Sequence, residues 1–452
     1  MKLLGPLVCL LFVPILYSAQ GCAPEKWIAG STTAREDALE RPNILFVITD
    51  DMRYDETRRI EGFEALAARG TSFQNAYVTN SVCCPSRTTA LTGQYSHNHR
   101  VTSNVGSGGG YPAYLRHRVG SSTVATWLQR TGYRTALFGK FLNGYGKSRP
   151  PRGFHAYQPA EGGEKDPLLG KRAARFVENN HERGPLFIAL WLKSPHGPLK
   201  VAENLRDTHM GETYPEPPSF DETDVSDKAR WIEDLPRIGP RERAEITEIR
   251  QKRLRMLEGA AAAMKRTLSA LGSTGERDNT YVVFSSDNGY MLGEHRIPGG
   301  KSKPYEESIH VPLVITGPGV PRGITRDELV ANNDLAPTLA QWAGVEAPGV
   351  DGRSLAPLLT EGAVGGWREA LLTENPGGDK APGHAALITR TGVRYIEWET
   401  GEREFYDLRG DPHQLKNVAG SAPPDELEAL HERLKALKSC ARVSCRAVEN
   451  GD

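Results

Sequence analysis

The stretch SVCCPSRTTALTG, residues 81–93, sets two adjacent cysteines before a proline, a serine and an arginine. The chain has six cysteines, and four have ordinary explanations. Cys9 lies in an apolar leader, Cys22 stands at its end, and Cys440 and Cys445 in SCARVSC are near enough for a local disulfide in an oxidising compartment. Cys83 and Cys84 do not fit these roles. Adjacent cysteines bridge each other poorly, and a metal–thiolate site needs further Cys or His at ligand spacing. PSRTTALTG reads as a helix with Pro85 near its first turn and Gly93 at its end, which puts Cys83 at a helix N-terminus, where backbone N–H groups favour an anion. Arg87 is then placed to brace whatever stands at 83. Two readings follow: a reactive group at 83, or a buried cysteine pair behind a helix-starting proline.

Other polar groups each follow an apolar run. NILFVIT (43–49) leads to Asp50 and Asp51, YRTALFG (133–139) to Lys140, PLFIALWL (185–192) to KSPHGP with His196, and YVVFSS (281–286) to Asp287 and Asn288. These runs, and VPLVIT (311–316), are apolar on both faces, as buried parallel strands are. Open α/β sheets build sites at the carboxyl ends of strands, so groups remote in sequence converge there. A loop charge or helix cap explains any one of them; the set of four points to a site. Asp50, Asp51, Asp287 and Asn288 offer only oxygen, which suits Ca²⁺ or Mg²⁺ rather than zinc. Lys140, His196 and Lys301 in GGKSKPYEES add cationic or hydrogen-bonding groups. A hard cation among such side chains implies an anionic substrate with several oxygens, a sulfate or phosphate ester.

The elements that must position these groups alternate between strand and helix. STVATWLQRTG has a Ser/Thr start and a Gly stop, and residues 241–271 carry Ile246, Ile249, Met256, Leu257, Met264, Leu268 and Leu271 at near-helical spacing. The fold class is therefore α/β, a large domain with a mainly parallel central sheet flanked by helices. The character changes near residue 367: ALLTE, AALITRTG, VRYIEWET and EREFYDLRG read as short antiparallel strands before the helix PDELEALHERLKALKSC. The expected organisation is a leader at 1–22, a polar tether at 23–41, a catalytic domain at 42–366 and a small sheet-plus-helix subdomain at 367–452. Lys2 and the apolar run after it form a secretory signal peptide, so the protein is expected to be exported: secreted, periplasmic or on the cell surface. AQGC (19–22) is similar to a bacterial lipoprotein processing site with Cys22 as the lipidated residue, although Ala19 stands where leucine is usual; cleavage near Gly21 or Cys22 is the other reading. A lipid there is the one membrane attachment expected. Lys+Arg and Asp+Glu balance at 56 each, so no nucleic-acid partner is expected.

Cys83-Cys84-Pro85-Ser86-Arg87 with Leu91-Thr92-Gly93 resembles the signature of the type I sulfatases of the alkaline phosphatase superfamily. The likeness continues through ITDD, FGK, SPHGP, SSDNGYMLGEH, YEESIHVPLVITGPG and FYDLRGDPHQLKNVA, in the same order as in that family. VCCPSR, YSHNHRV, FGKFLN and SDNGY are most similar to the N-acetylglucosamine-6-sulfatases and heparan endosulfatases. The resemblance implies that a formylglycine-generating enzyme converts Cys83 to formylglycine (3-oxoalanine). It also implies one Ca²⁺, rather than Mg²⁺, on Asp50, Asp51, residue 83, Asp287 and Asn288. Arg87 would hold the hydrated aldehyde; Lys140, His196 and Lys301 would grip the sulfate, with His196 or Lys301 protonating the departing alcohol. The substrate implied is a sulfated carbohydrate or a small sulfate ester.

The chain also departs from that pattern. Leu142 stands where many sulfatases have a histidine two residues after the lysine, and Asn143 is the candidate replacement. Lys303 is the alternative to Lys301. His97 and His295 are weighed as substrate contacts against a polar turn and a backbone-bonded loop histidine, and His384 as a contact from the small subdomain. Two rival functions are a phosphonate monoester or phosphodiester hydrolase of the same superfamily, and an inactive carbohydrate-binding protein.

Overall fold

The strand Asn43–Asp50 (β1) is buried at every position, which accounts for a run without polar alternation. The computed structural model describes residues 41–146, 148–360, 364–378 and 381–451; the expected leader, Cys22 and nearly all of the tether lie outside the described residues. With β1, the strands Thr71–Tyr77 (β2), Arg134–Gly139 (β3), Ala156–Pro159 (β4), Leu186–Pro195 (β5), Thr280–Ser286 (β6), Leu313–Thr316 (β7) and Ile324–Ala331 (β8) form a sheet in the order β4-β3-β5-β1-β6-β7-β2-β8. β1 is central and parallel to both β5 and β6, and β3 is parallel to β5.

One expectation fails at β7. The run at 311–316 reads as another parallel strand, but β7 is antiparallel to β6 and to β2. The connection from Asp287 to Pro312 makes no crossover past the sheet, so the chain re-enters from the end at which it left and must run the other way.

The helices that position the site are Cys83–Thr92 (α1), Val124–Arg130 (α2), Asp166–Asn180 (α3), Pro240–Ser273 (α4) and Leu335–Trp342 (α5). Successive residues of β1 point to opposite faces of the sheet. Ile44, Phe46 and Ile48 join Phe187 and Trp191 beneath α2 and α5. Leu45 and Val47 join Ile188, Leu190 and Phe284 beneath α4, through Leu254, Leu257 and Met264, and α3. The spacing read at 241–271 is this buried stripe of α4, a helix opened by Pro240 at its first position.

A second sheet, antiparallel in the order β12-β11-β10-β9, comprises Ala370–Asn375 (β9), His384–Thr389 (β10), Val393–Trp398 (β11) and Arg403–Asp407 (β12). Pro424–Ser439 (α6) and Val443–Asn450 (α7) follow, and Cys440, just after α6, forms a disulfide with Cys445 in α7.

Candidate active site

Helix α1 is buried at all ten positions and ends on Gly93, whose φ of 71° is the left-handed conformation glycine adopts without strain. Val82 caps its other end without a side-chain hydrogen bond, so the first turn opens directly onto Cys83. Asn332 Nδ2 donates to Ser86 Oγ at 2.9 Å and fixes the helix against the residues that lead into α5.

Asp50 ends β1, and Asp51 has a φ of 74°. In extended backbone the two carboxylates would face opposite sides of the sheet; the left-handed residue breaks that alternation. Ligand atoms of Asp50, Asp51, Cys83 and His196 then lie within 4.8 Å of one another. From the end of β6, Asp287 accepts the Asp51 N–H at 3.0 Å, and Asn288 Nδ2 donates to Asp51 Oδ1 at 2.7 Å. Asn288 Oδ1 is buried, with no hydrogen-bond donor among the described residues. A buried acceptor without a donor, on an amide whose nitrogen meets a carboxylate of this group, is an environment that a cation completes.

Cationic side chains close around this group. Arg87 is wholly buried; its Nε donates to Asp287 Oδ2 at 2.8 Å, one Nη donates to the Lys140 carbonyl at 2.8 Å, and the other lies 3.9 Å from Asp50 Oδ2 with no hydrogen-bond acceptor among the described residues. Lys140 Nζ meets Asp50 Oδ2 at 2.7 Å. It follows Gly139, where a Cβ would stand 1.6 Å from the Trp191 carbonyl oxygen, so glycine alone allows the strand to turn the lysine inward. Lys301 Nζ reaches Asp51 Oδ1, and Cys83 Sγ at 2.6 Å. Cys83 Sγ lies 3.3 Å from Asp50 Oδ1.

These contacts set the protonation states. Burial alone would raise the Asp50 pKa, but Lys140 and then Arg87 outweigh it and hold the carboxyl well below its usual range. Burial, reinforced by Asp50, pushes the Cys83 thiol up to about 12, so an unmodified cysteine here stays protonated at neutral pH. A protonated, buried thiol is a poor nucleophile.

The remaining expected residues are distributed unevenly. His196 Nε2 is 3.9 Å from Asp51 Oδ2, inside the site. Lys303 is turned away: its Nζ donates to the Lys301 carbonyl at 3.2 Å and lies over the Trp231 ring, so Lys301 is the lysine that reaches Cys83. Asn143 borders the site through its backbone, whose N–H lies 3.1 Å from Cys84 Sγ. His97 is engaged by Glu374 at 2.9 Å and by the Cys440 carbonyl at 3.0 Å, a tie to the small sheet. His295 is wholly buried, its Nδ1 2.6 Å from Glu222, and packs beneath its loop instead of lining an opening. His384 is likewise buried, with its ring edge-on to Trp398.

Sequence reasoning missed two residues. Lys193, three positions before His196, brings Nζ to 3.5 Å from Asp50 Oδ2; the signal was its place at a strand end, overshadowed by the histidine. Arg253, in the middle of α4, donates to the Asp51 carbonyl at 2.6 Å and to both oxygens of buried Glu56 at 2.8 Å, which steadies the loop behind the carboxylates. Nothing in the apolar spacing of that helix marks an inward arginine.

The family model described as Sulfatase matches residues 42–345, and that described as N-sulphoglucosamine sulphohydrolase, C-terminal, matches residues 293–440. The extracellular sulfatase SULF-1 homolog of Drosophila melanogaster is 31% identical over 422 residues, which cover 83% of this chain and 37% of the fly protein, so the chain spans little more than a third of that relative. The N-acetylglucosamine-6-sulfatase of Homo sapiens is 27% identical over 479 residues, covering 90% of this chain and 86% of the human one. Among solved structures, one in complex with its substrate D-glucosamine-2-N,6-O-disulfate superimposes with a TM-score of 0.75 at 23% identity, over 87% of this chain and 97% of that one. The phosphonate monoester hydrolase of Agrobacterium radiobacter gives 0.70 at 23% identity, over 88% and 96%. At such identities a structural likeness speaks for the fold and not for the substrate. The family model spans most of the chain, including every residue drawn together around Cys83, and the chain belongs to the sulfatase family.

Proposed function

We propose that the protein is an exported hydrolase of sulfate monoesters, acting on a sulfated sugar of the N-acetylglucosamine-6-sulfate kind or on an aryl sulfate. The observation that carries this reading is the enclosure of Cys83 by Lys301 and Asp50, with Arg87 on Asp287 and Asn288 on Asp51 next to them. Asp50, Asp51, residue 83, Asp287 and Asn288 would hold a divalent cation, with Ca²⁺ the expected ion. The cation supplies positive charge where oxygen anions gather, and formylglycine at 83 supplies a nucleophile that is regenerated without water attacking sulfur. Lys140 and Lys301 bind the sulfate oxygens and offset charge as it develops. Arg87, immobilised by Asp287 and the Lys140 carbonyl, orients the group at 83. His196 presents Nε2 to the departing oxygen.

Mass spectrometry of the peptide carrying residue 83, on protein from a host with the maturation enzyme, tests the reading together with turnover of a panel of sulfated sugars and aryl sulfates. The expected result is an aldehyde at 83, turnover of at least one ester, and none after Cys83→Ala. Unmodified cysteine in active protein would overturn the mechanism. The phosphonate monoester hydrolase among the structural neighbours gives the second reading; faster turnover of an aryl phosphonate monoester than of any sulfate would establish it. Well-folded, aldehyde-bearing protein that binds sulfated sugars without turnover would favour the binding protein.

A further inference from the structure

His196 has two neighbours at Nδ1, the ring nitrogen other than the one 3.9 Å from Asp51. Lys193 Nζ lies 2.8 Å from Nδ1, and the Gly197 carbonyl oxygen lies 2.6 Å from the same atom. They make opposite demands. An ammonium only donates, so it requires a lone pair on Nδ1; a carbonyl only accepts, so it requires a proton there. A neutral imidazole carries one proton, and whichever neighbour prevails decides whether Nε2 is a donor or an acceptor.

The backbone holds Lys193 in this contest. The N–H groups of Lys193 and Ser194 donate to the two oxygens of wholly buried Asp166 at 3.1 and 2.9 Å, and the His196 N–H closes a turn onto the Lys193 carbonyl at 3.0 Å. The same Nζ lies 3.5 Å from Asp50 Oδ2; burial lowers the Lys193 pKa, and this carboxylate opposes the shift. Lys193 therefore stands beside Nδ1 as a fixed donor, and the proposed reaction assigns it no other task.

We propose that Lys193 is a positioning residue that holds the His196 proton on Nε2, so that the imidazole meets the departing oxygen as a hydrogen-bond donor. This inference rests on the sulfatase reading for its consequence but not for its geometry. The donated hydrogen bond matters most where the leaving group is a poor one, as a sugar alkoxide is, and least where a nitrophenolate departs.

Histidine-selective ¹⁵N labelling of the full chain, with the His196 signals identified by their loss in His196→Gln, reads the tautomer directly. Wild type should carry the proton on Nε2. Lys193→Met should move it to Nδ1, because the Gly197 oxygen then stands alone beside that atom. In turnover, Lys193→Met should lower kcat about tenfold or more on a sugar sulfate, and less than about threefold on 4-nitrophenyl sulfate, with KM nearly unchanged. Lys193→Arg, which can still donate, should recover most of the loss, and Lys193→Met should add nothing in a His196→Gln background. An unchanged tautomer in Lys193→Met, equal losses on both esters, or losses that simply add would overturn the proposal. Wild type that turns over neither ester, with the tautomer moving as expected, would sink the sulfatase reading and leave the orienting role standing.

Discussion

Asn288 shows how one atom can be tested apart from catalysis. If its buried Oδ1 is a cation ligand, Ca²⁺ should stabilise even the unmodified Cys83 protein, by about 2.7 kcal/mol at a hundredfold excess over Kd. Asn288→Leu should lose most of that shift in a thermal melt, and a chelator should reverse it in wild type. Equal Ca²⁺ stabilisation of wild type and Asn288→Leu would remove Asn288 from the ligand set. His384 makes a different prediction. Burial, with Lys303 nearby, pushes its pKa down to about 3, and neither ring nitrogen has a hydrogen-bond partner among the described residues. The unfolded histidine titrates near 6.5, so the folded state binds fewer protons below that value; the stabilisation is complete above it and is lost as pH falls towards 3. The slope approaches about 1.4 kcal/mol per pH unit. Melting temperatures between pH 7 and 5 should therefore fall less steeply in His384→Phe than in wild type.

The packing of α3 against α4 is close at Gly170, where a Cβ would come within 2.5 Å of the Ala263 backbone. Gly170→Val should cost about 1–3 kcal/mol or more, read as a lower denaturation midpoint, because helix backbone cannot yield as a side chain does. Arg253→Met should cost more, about 3–5 kcal/mol, since it strands the wholly buried Glu56 without its partner. It should also weaken Ca²⁺ stabilisation, because the Asp51 carbonyl loses its donor. At this scale most of the architecture was legible in the sequence. The apolar runs at 43–49, 133–139, 185–192 and 281–286 correspond to β1, β3, β5 and β6, and the 241–271 stripe to α4. Strand direction was not: periodicity reports burial, and β7 is as apolar as the parallel strands β1 and β6 while running the other way.

Across the whole molecule, the large sheet and the small one are joined by a buried ionic network. Arg368, wholly buried, meets Asp334 at 2.6 Å and Glu449 at 3.2 Å; Tyr95 donates to Glu449 at 2.5 Å, and Arg353 reaches it at 2.9 Å. Tyr95 and His97 lie just beyond α1, so the C-terminal helix α7 bears on the segment that follows Cys83. Glu449→Ala should destabilise by about 1–3 kcal/mol, because Arg353 loses its carboxylate partner and Arg368 keeps only Asp334. It should also lower turnover in protein that remains folded, measured below the melting transition; full activity there would mean that the small sheet does not steady the site.

The chain's own pattern marked the residues that the proposed reaction uses and the strand ends at which they stand, because strand ends and the helix start at Cys83 are local features of a few residues each. The tertiary structure decided what those residues do to one another. It turned Lys301 and not Lys303 onto Cys83, buried His295 and tied His97 to the small sheet, and brought Lys193 to the far side of His196. Those outcomes depend on ångström distances between groups that no spacing in the chain encodes. A charge that reads as a loop lysine in sequence becomes a determinant of proton position only once the fold sets it beside an imidazole nitrogen.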